Sequence, residues 1–172
     1  MPDPDDSPLS GDDLAAWSAL ATLLEWLPAA LDAQLLKDSG LSHFEYGILY
    51  ALAAAPERTL RMSALAGFAN SSLSRLSRAV SRLENRGWVG RRADPEDGRT
   101  TLATLTAAGL AQQASAAPGH EALVRDVVLG PLSERQRREL RGIATTIAGA
   151  LRPDGSWSAP RGETSRDGRA AG

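Results

Sequence analysis

The chain has 172 residues, 42% of them hydrophobic, which is enough for one domain with a core of its own. It contains no cysteine, which excludes disulfides, cysteine-ligated metals and thiol redox sensing. Nineteen basic and 21 acidic residues leave a net charge of −2, which argues against indiscriminate binding to nucleic acid.

Residues 1–11, MPDPDDSPLSG, are acidic and proline-bearing, and disorder is the expectation there. Asp12 or Asp13 is the expected cap of a first long helix, about 12–38. Leu14, Trp17, Ala21, Leu24, Leu31 and Leu35 follow the helical rhythm, and Leu20, Leu23 and Leu27 form a second apolar stripe. A helix this long with two apolar faces calls for a partner chain, and Pro28 is expected to kink it. Trp17 and Trp26 read equally as plain core filler. No 18-residue apolar run and no basic-then-apolar start is visible, so neither a membrane span nor a signal peptide is expected, and the location expected is the cytoplasm.

Gly40 ends the first helix, and Ser42 with Glu45 three residues on forms a capping box for the next. Tyr46, Leu49, Tyr50, Leu52 and Ala53 supply its buried face. A short strand at 60–62 is expected to pair with a later hairpin. A helix at 63–69 then packs Leu65 and Phe68 on its successor, which Asn70 or a close neighbour caps and Gly87 stops.

That successor carries the chemistry. At about 100° per residue, Leu73, Leu76, Val80 and Leu83 share one stripe, while Arg75, Arg78, Arg82 and Arg86 lie nearly opposite. Ser71, Ser74, Ser77 and Ser81 lie on or beside the arginine face. Guanidinium forks and small hydroxyls are groups that reach phosphate oxygens and base edges in a major groove. Residues 71–92 hold six arginines against one acid, Glu84, a local net of +5 within a chain of net −2. Strand-like segments at 89–92 and 100–105 flank 93–99, whose Pro, Asp and Gly are turn residues. A recognition helix followed at once by such a hairpin reads as a winged helix-turn-helix, with hairpin arginines placed for the neighbouring minor groove. The bland alternative is a solvated arginine face on an ordinary surface helix.

SSLSRLSRAVSRLENRGWV followed by RRADPEDGRTTLATLTAAG resembles the MarR family of bacterial transcription regulators. Leu83, Glu84, Gly87 and Val89 match the family's Leu-Glu-x-x-Gly-x-Val. Asp97 and Arg99 match its wing, and Leu105, Thr106 and Gly109 match its close. The resemblance covers about residues 12–151. It implies a homodimer on a pseudo-palindromic operator, often released by a small ligand. It also implies that Arg99 enters the minor groove and that Asp97 holds it by a salt bridge. The lack of cysteine removes the branch that senses organic peroxides.

Beyond the hairpin, Thr106 caps a further helix that Pro118-Gly119 is expected to bend or break, with His120 at the bend. Gly130-Pro131 breaks the chain again, and Ser133 with Gln136 forms a second capping box. Leu140, Ile143, Ile147 and Leu151 make the last stripe. The resemblance implies that the first helix and the last two intertwine across a dimer axis; a monomeric helical core fits the stripes as well. Residues 152–172 have the composition of a disordered tail, with Trp157 alone in it.

The two histidines, His43 and His120, have no metal-ligand spacing, and no phosphate loop or Ser/His/Asp elbow is present. Neither an enzyme nor a cofactor is expected. A small phenolic or aromatic effector is the open question, with Trp17, Trp26, His43, Tyr46 and His120 as candidate lining.

The expected fold is mainly α: a winged helix-turn-helix lobe at about 42–106 with a small β-wing. Dimerisation helices flank it at about 12–38 and 107–151. The expected function is a homodimeric repressor on double-stranded DNA. Ser71, Ser72, Ser74, Arg75, Ser77, Arg78, Arg82, Asp97 and Arg99 are the candidate contacts. The rival is an adaptor or anti-repressor that kept the fold and lost DNA, for which an acidic or uncharged recognition face would speak.

Overall fold

The computed structural model describes residues 8–151; what was expected of 1–7 and of the tail at 152–172, Trp157 included, lies outside the described residues. In chain order the elements are α1 (Gly11–Ser39), α2 (His43–Ala54), β1 (Thr59–Arg61), α3 (Met62–Phe68), α4 (Leu73–Asn85), β2 (Val89–Ala93), β3 (Thr101–Leu105), α5 (Ala107–Val124) and α6 (Glu134–Leu151). A single 3₁₀ turn at Pro56–Arg58 precedes β1, and a π-helical turn at Arg125–Leu129 follows α5. The three strands form one antiparallel sheet in the order β1-β3-β2, with Leu60 opposite Ala103 and Arg91 opposite Ala103 on the other edge.

The core lies where α2, α3, α4 and the sheet meet. Leu35, Leu41, Ile48, Leu49, Leu52, Leu65, Leu76, Val80 and Leu83 are completely buried there. Local chemistry sets most boundaries. Gly40 takes a left-handed conformation (φ 66°) and donates its N–H to the Leu36 carbonyl, closing α1. Ser42 and Glu45 form the expected reciprocal capping box, as do Ser133 and Gln136 at the start of α6.

Several expectations are corrected. α1 starts one residue earlier, after Ser10, so Asp12 and Asp13 lie in its first turn, where their charge suits the helix N-terminus. Ser72, not Asn70, caps α4, accepting from the Arg75 N–H, and Asn70 takes positive φ in the turn before it. α5 runs through Pro118 without a break. Pro118 and Ala114, four residues earlier, are both exposed, so the carbonyl that loses its donor lies on a hydrated face.

The largest correction concerns α1. A stretch of 18 residues within it is apolar enough, by length and composition, to cross a membrane. Ser, Thr and a single Glu interrupt the run, so a search for unbroken apolar residues passes over it. Almost none of that stretch is buried within the chain. Leu14, Trp17, Leu23, Leu24 and Trp26 are exposed, the last at 75%, so neither tryptophan is core filler. α6 is similar: it buries no residue, and Leu140, Ile143, Ile147 and Leu151 all face outward.

Candidate nucleic-acid interface

The inner side of α4 is made by Leu76, Ala79, Val80 and Leu83, all buried, and it fixes the outer side by exclusion. Ser72, Ser74, Arg75 and Arg78 are exposed there, and Ser71 and Ser77 are half-buried. Leu73, expected on the buried stripe, is 55% exposed and opens onto a shallow recess shared with α3 and the wing.

The arginines have unequal partners. The Arg75 guanidinium lies 4.6 Å from the Phe44 ring centre. Arg82 donates through Nε to the buried Glu45 carboxylate at 2.7 Å, and Arg86 donates to the Gly40 carbonyl at 2.9 Å while covering Trp88. Burial, the largest influence on Glu45, pushes its pKa up. The Arg82 bond and charge and the Ser42 bonds outweigh that and leave it below the ordinary value. Arg82 is therefore tethered through Nε to the first turn of α2, while its side chain stays 57% exposed. Among the described residues Arg78, Arg92 and Arg99 have exposed guanidinium groups with no ion pair.

The wing is built on two aspartates. Asp94, buried, pairs with Arg61 at 3.1 Å and accepts from the Glu96 N–H at 3.0 Å. Asp97 accepts from the Arg99 N–H at 3.1 Å and from the Thr100 hydroxyl at 2.9 Å. No Asp97–Arg99 side-chain ion pair forms among the described residues. Both Asp97 oxygens serve the turn, and the Arg99 guanidinium is left to solvent. Sequence reasoning also passed over Arg91. Its guanidinium donates to Glu84 at 2.6 Å and 3.0 Å and to the Ser81 hydroxyl at 3.1 Å, with Ser77 at 3.5 Å, and so clamps β2 along α4. The density of arginine in 71–92 was visible, but nothing in it marks which cation folds back.

A separate cleft of about 470 Å³ opens where α2 meets α5. His43, Tyr46, Tyr50 and Phe68 line one wall, and His120 and Val124 line the other. The Tyr46 and His120 ring centres are 4.7 Å apart, and those of His43 and His120 are 5.7 Å apart. Burial lowers the pKa of both histidines; Asp32 partly opposes this at His43, and at His120 the His43 charge adds to it while Glu121 opposes it. The His120 Nδ1 is buried without a hydrogen-bond partner. A neighbouring cleft of about 560 Å³ shares His43 and Phe68 and reaches Arg75 of α4. His43, Tyr46 and His120 thus come together, whereas Trp17 and Trp26 line neither cleft in the single chain.

Residues 39–100 match the sequence profile of the MarR family. Sco3205, a MarR family transcriptional regulator from Streptomyces coelicolor whose structure was solved in complex with DNA, is 39% identical. That match covers 84% of this chain and 94% of Sco3205, with a TM-score of 0.81. The chain belongs to the MarR family. AbsC, another MarR family regulator from Streptomyces coelicolor, is 32% identical over 86% of this chain and 99% of its own, with a TM-score of 0.80. PcaV from the same organism, solved with its natural ligand, is 26% identical over 83% of this chain and 99% of its own, with a TM-score of 0.66. No curated protein sequence matches. The protein is a MarR-family DNA-binding transcription regulator with a winged-helix fold, and its homologues of known structure are regulators and not enzymes. The profile spans α2 to the wing tip, so the family match rests on the lobe that carries the arginine face.

Proposed function

We propose that this MarR-family protein is a homodimeric repressor of a pseudo-palindromic operator. The observation that carries the reading is the side-by-side arrangement of an arginine- and serine-bearing helix face and a wing with a solvent-directed Arg99. Two such lobes enter successive major grooves about 34 Å apart, with α4 in the groove and the wing at the minor groove beside it. Ser71, Ser72, Ser74, Arg75, Ser77 and Arg78 are the contacts on α4. Arg82 contributes by holding the helix to α2, and Asp97 by shaping the turn that presents Arg99. The exposed apolar faces of α1 and α6 support the dimer.

A small aromatic effector is part of the proposal. The cleft between His43, Tyr46 and His120 offers ring faces and an unpartnered imidazole nitrogen, a setting for a flat molecule with one polar group. It lies between the α2 start of the DNA-binding lobe and α5, so an occupant preferring another spacing of the two lobes lowers operator affinity.

The test is selection of duplexes from a random pool by the purified protein, followed by gel shift. Retardation of the selected duplex that survives excess random competitor supports the proposal. Absence of retardation at low salt refutes it and favours an adaptor on the same fold.

A further inference from the structure

The recognition helix carries one large apolar side chain that the fold leaves bare. Leu73 is 55% exposed, while Leu76, Val80 and Leu83 of the same stripe are completely buried. It stands in a shallow recess of about 250 Å³ between α4 and the wing, beside Ser63, Ser77, Arg99 and Thr101. One and two turns on, at Ser77 and Ser81, this side of the helix is closed by the Arg91 guanidinium. Leu73, the first residue of the helix, is thus open on the wing-facing side of α4.

Its surroundings narrow what can cover it. The recess is rimmed by hydroxyls and guanidinium groups, which suit a polyanion and not the apolar face of another protein. In helix-turn-helix proteins the N-terminal residues of the recognition helix are the ones that meet base edges. The major groove presents one apolar group, the C5-methyl of thymine. We propose that Leu73 is a specificity-determining residue that packs on a thymine 5-methyl at one symmetric position in each half-site. This rests on the DNA-binding reading and goes further, assigning base identity to a side chain with no hydrogen-bonding group.

The experiment replaces each thymine of the selected duplex in turn by deoxyuridine, which pairs identically and lacks only the methyl. Wild-type protein loses about fourfold in affinity at the contacted thymine of each half-site, the factor expected from about 0.8 kcal/mol for burial of one methyl-sized group. Leu73→Ala binds the thymine and deoxyuridine forms of that position equally, and Leu73→Met restores the difference. Alanine is the strongest helix former and the site is exposed, so circular dichroism and the thermal midpoint stay unchanged in Leu73→Ala. Two results overturn the proposal while leaving the regulator reading intact. In one, no thymine methyl affects wild-type binding; in the other, Leu73→Ala keeps the wild-type methyl dependence, which reassigns the leucine to sugar contact. Failure of the wild type to retain any duplex instead removes the regulator reading itself, and this proposal with it.

Discussion

Two aspartates shape the wing, and neither holds the Arg99 guanidinium. Asp94 anchors the hairpin to Arg61, and Asp97 spends its oxygens on the Arg99 N–H and the Thr100 hydroxyl. The Arg99 guanidinium is therefore exposed without an ion pair among the described residues, and in the proposed complex it would reach DNA with no acidic side chain holding it. Arg99→Ala is expected to lower operator affinity and to reduce the slope of log affinity against log salt by about one per wing. An unchanged slope in that titration removes Arg99 from the interface. The sequence offered an acid and an arginine two residues apart, but spacing cannot say whether a carboxylate meets a side chain or a backbone N–H. The histidines carry the pH behaviour. Burial favours their neutral forms, so their folded pKa values lie below the ordinary 6.5. The unfolded chain then binds more protons across that interval. The stability that the two histidines contribute is fully present above pH 6.5 and is lost as pH drops toward the lowered values. Thermal midpoints measured from about pH 7.5 to about pH 5.5 should fall in the wild type and fall less in His120→Gln. Equal falls in both proteins would place the acid sensitivity elsewhere.

The helix ends and the join between lobe and bundle belong to the scale of elements. Ser42–Glu45 and Ser133–Gln136 were legible because a capping box is closed within four residues and needs no tertiary partner. Leu73 was not, because periodicity assigns a face but not how far along the helix the packing partner extends. At Pro118 the expected break does not occur: the carbonyl left without a donor, at Ala114, lies on an exposed face where water can satisfy it. Gly109, matched only as part of a motif, has a clear physical role. Thr106 Oγ1 donates to the Gly87 carbonyl at 2.7 Å and accepts from the Gly109 N–H at 3.0 Å, drawing the start of α5 onto the chain between α4 and β2. A Cβ at Gly109 would overlap the Trp88 carbonyl oxygen and crowd the Leu105 side chain. Gly109→Ala should therefore cost about 1–3 kcal/mol in urea unfolding, since backbone, unlike the tip of a side chain, cannot step aside. A loss under about 0.5 kcal/mol would mean that α5 shifts freely on the lobe, which would weaken the case for a rigid link between cleft and wing.

At the scale of the molecule the single chain is unfinished. Its core unites α2, α3, α4 and the sheet, whereas the N-terminal half of α1 and all of α6 leave most of their large apolar residues exposed. An isolated helix of this kind is marginal without packing, and exposed apolar faces on two such helices are what the proposed partner copy would cover. The same exposed leucines make part of α1 apolar enough to pass for a membrane span, yet α1 also supplies Leu31 and Leu35 to the fold, which ties its C-terminal half to the lobe. A second copy is the cover proposed, and α6 is the place to test it. Ile143 is 58% exposed and lies outside the core, so an aspartate there leaves the lobe folded. In a dimer, that aspartate would be buried against apolar neighbours at several kcal/mol. Ile143→Asp is expected to sediment at half the wild-type mass. It should bind a full operator no better than a half-site, a loss of about a hundredfold or more once the second lobe is no longer held at high local concentration. Melting of the lobe itself should shift little, because none of its buried residues touches the change. If the variant keeps the wild-type mass and operator affinity, α6 is not the dimer contact, and the exposed face of α1 must be matched to some other partner.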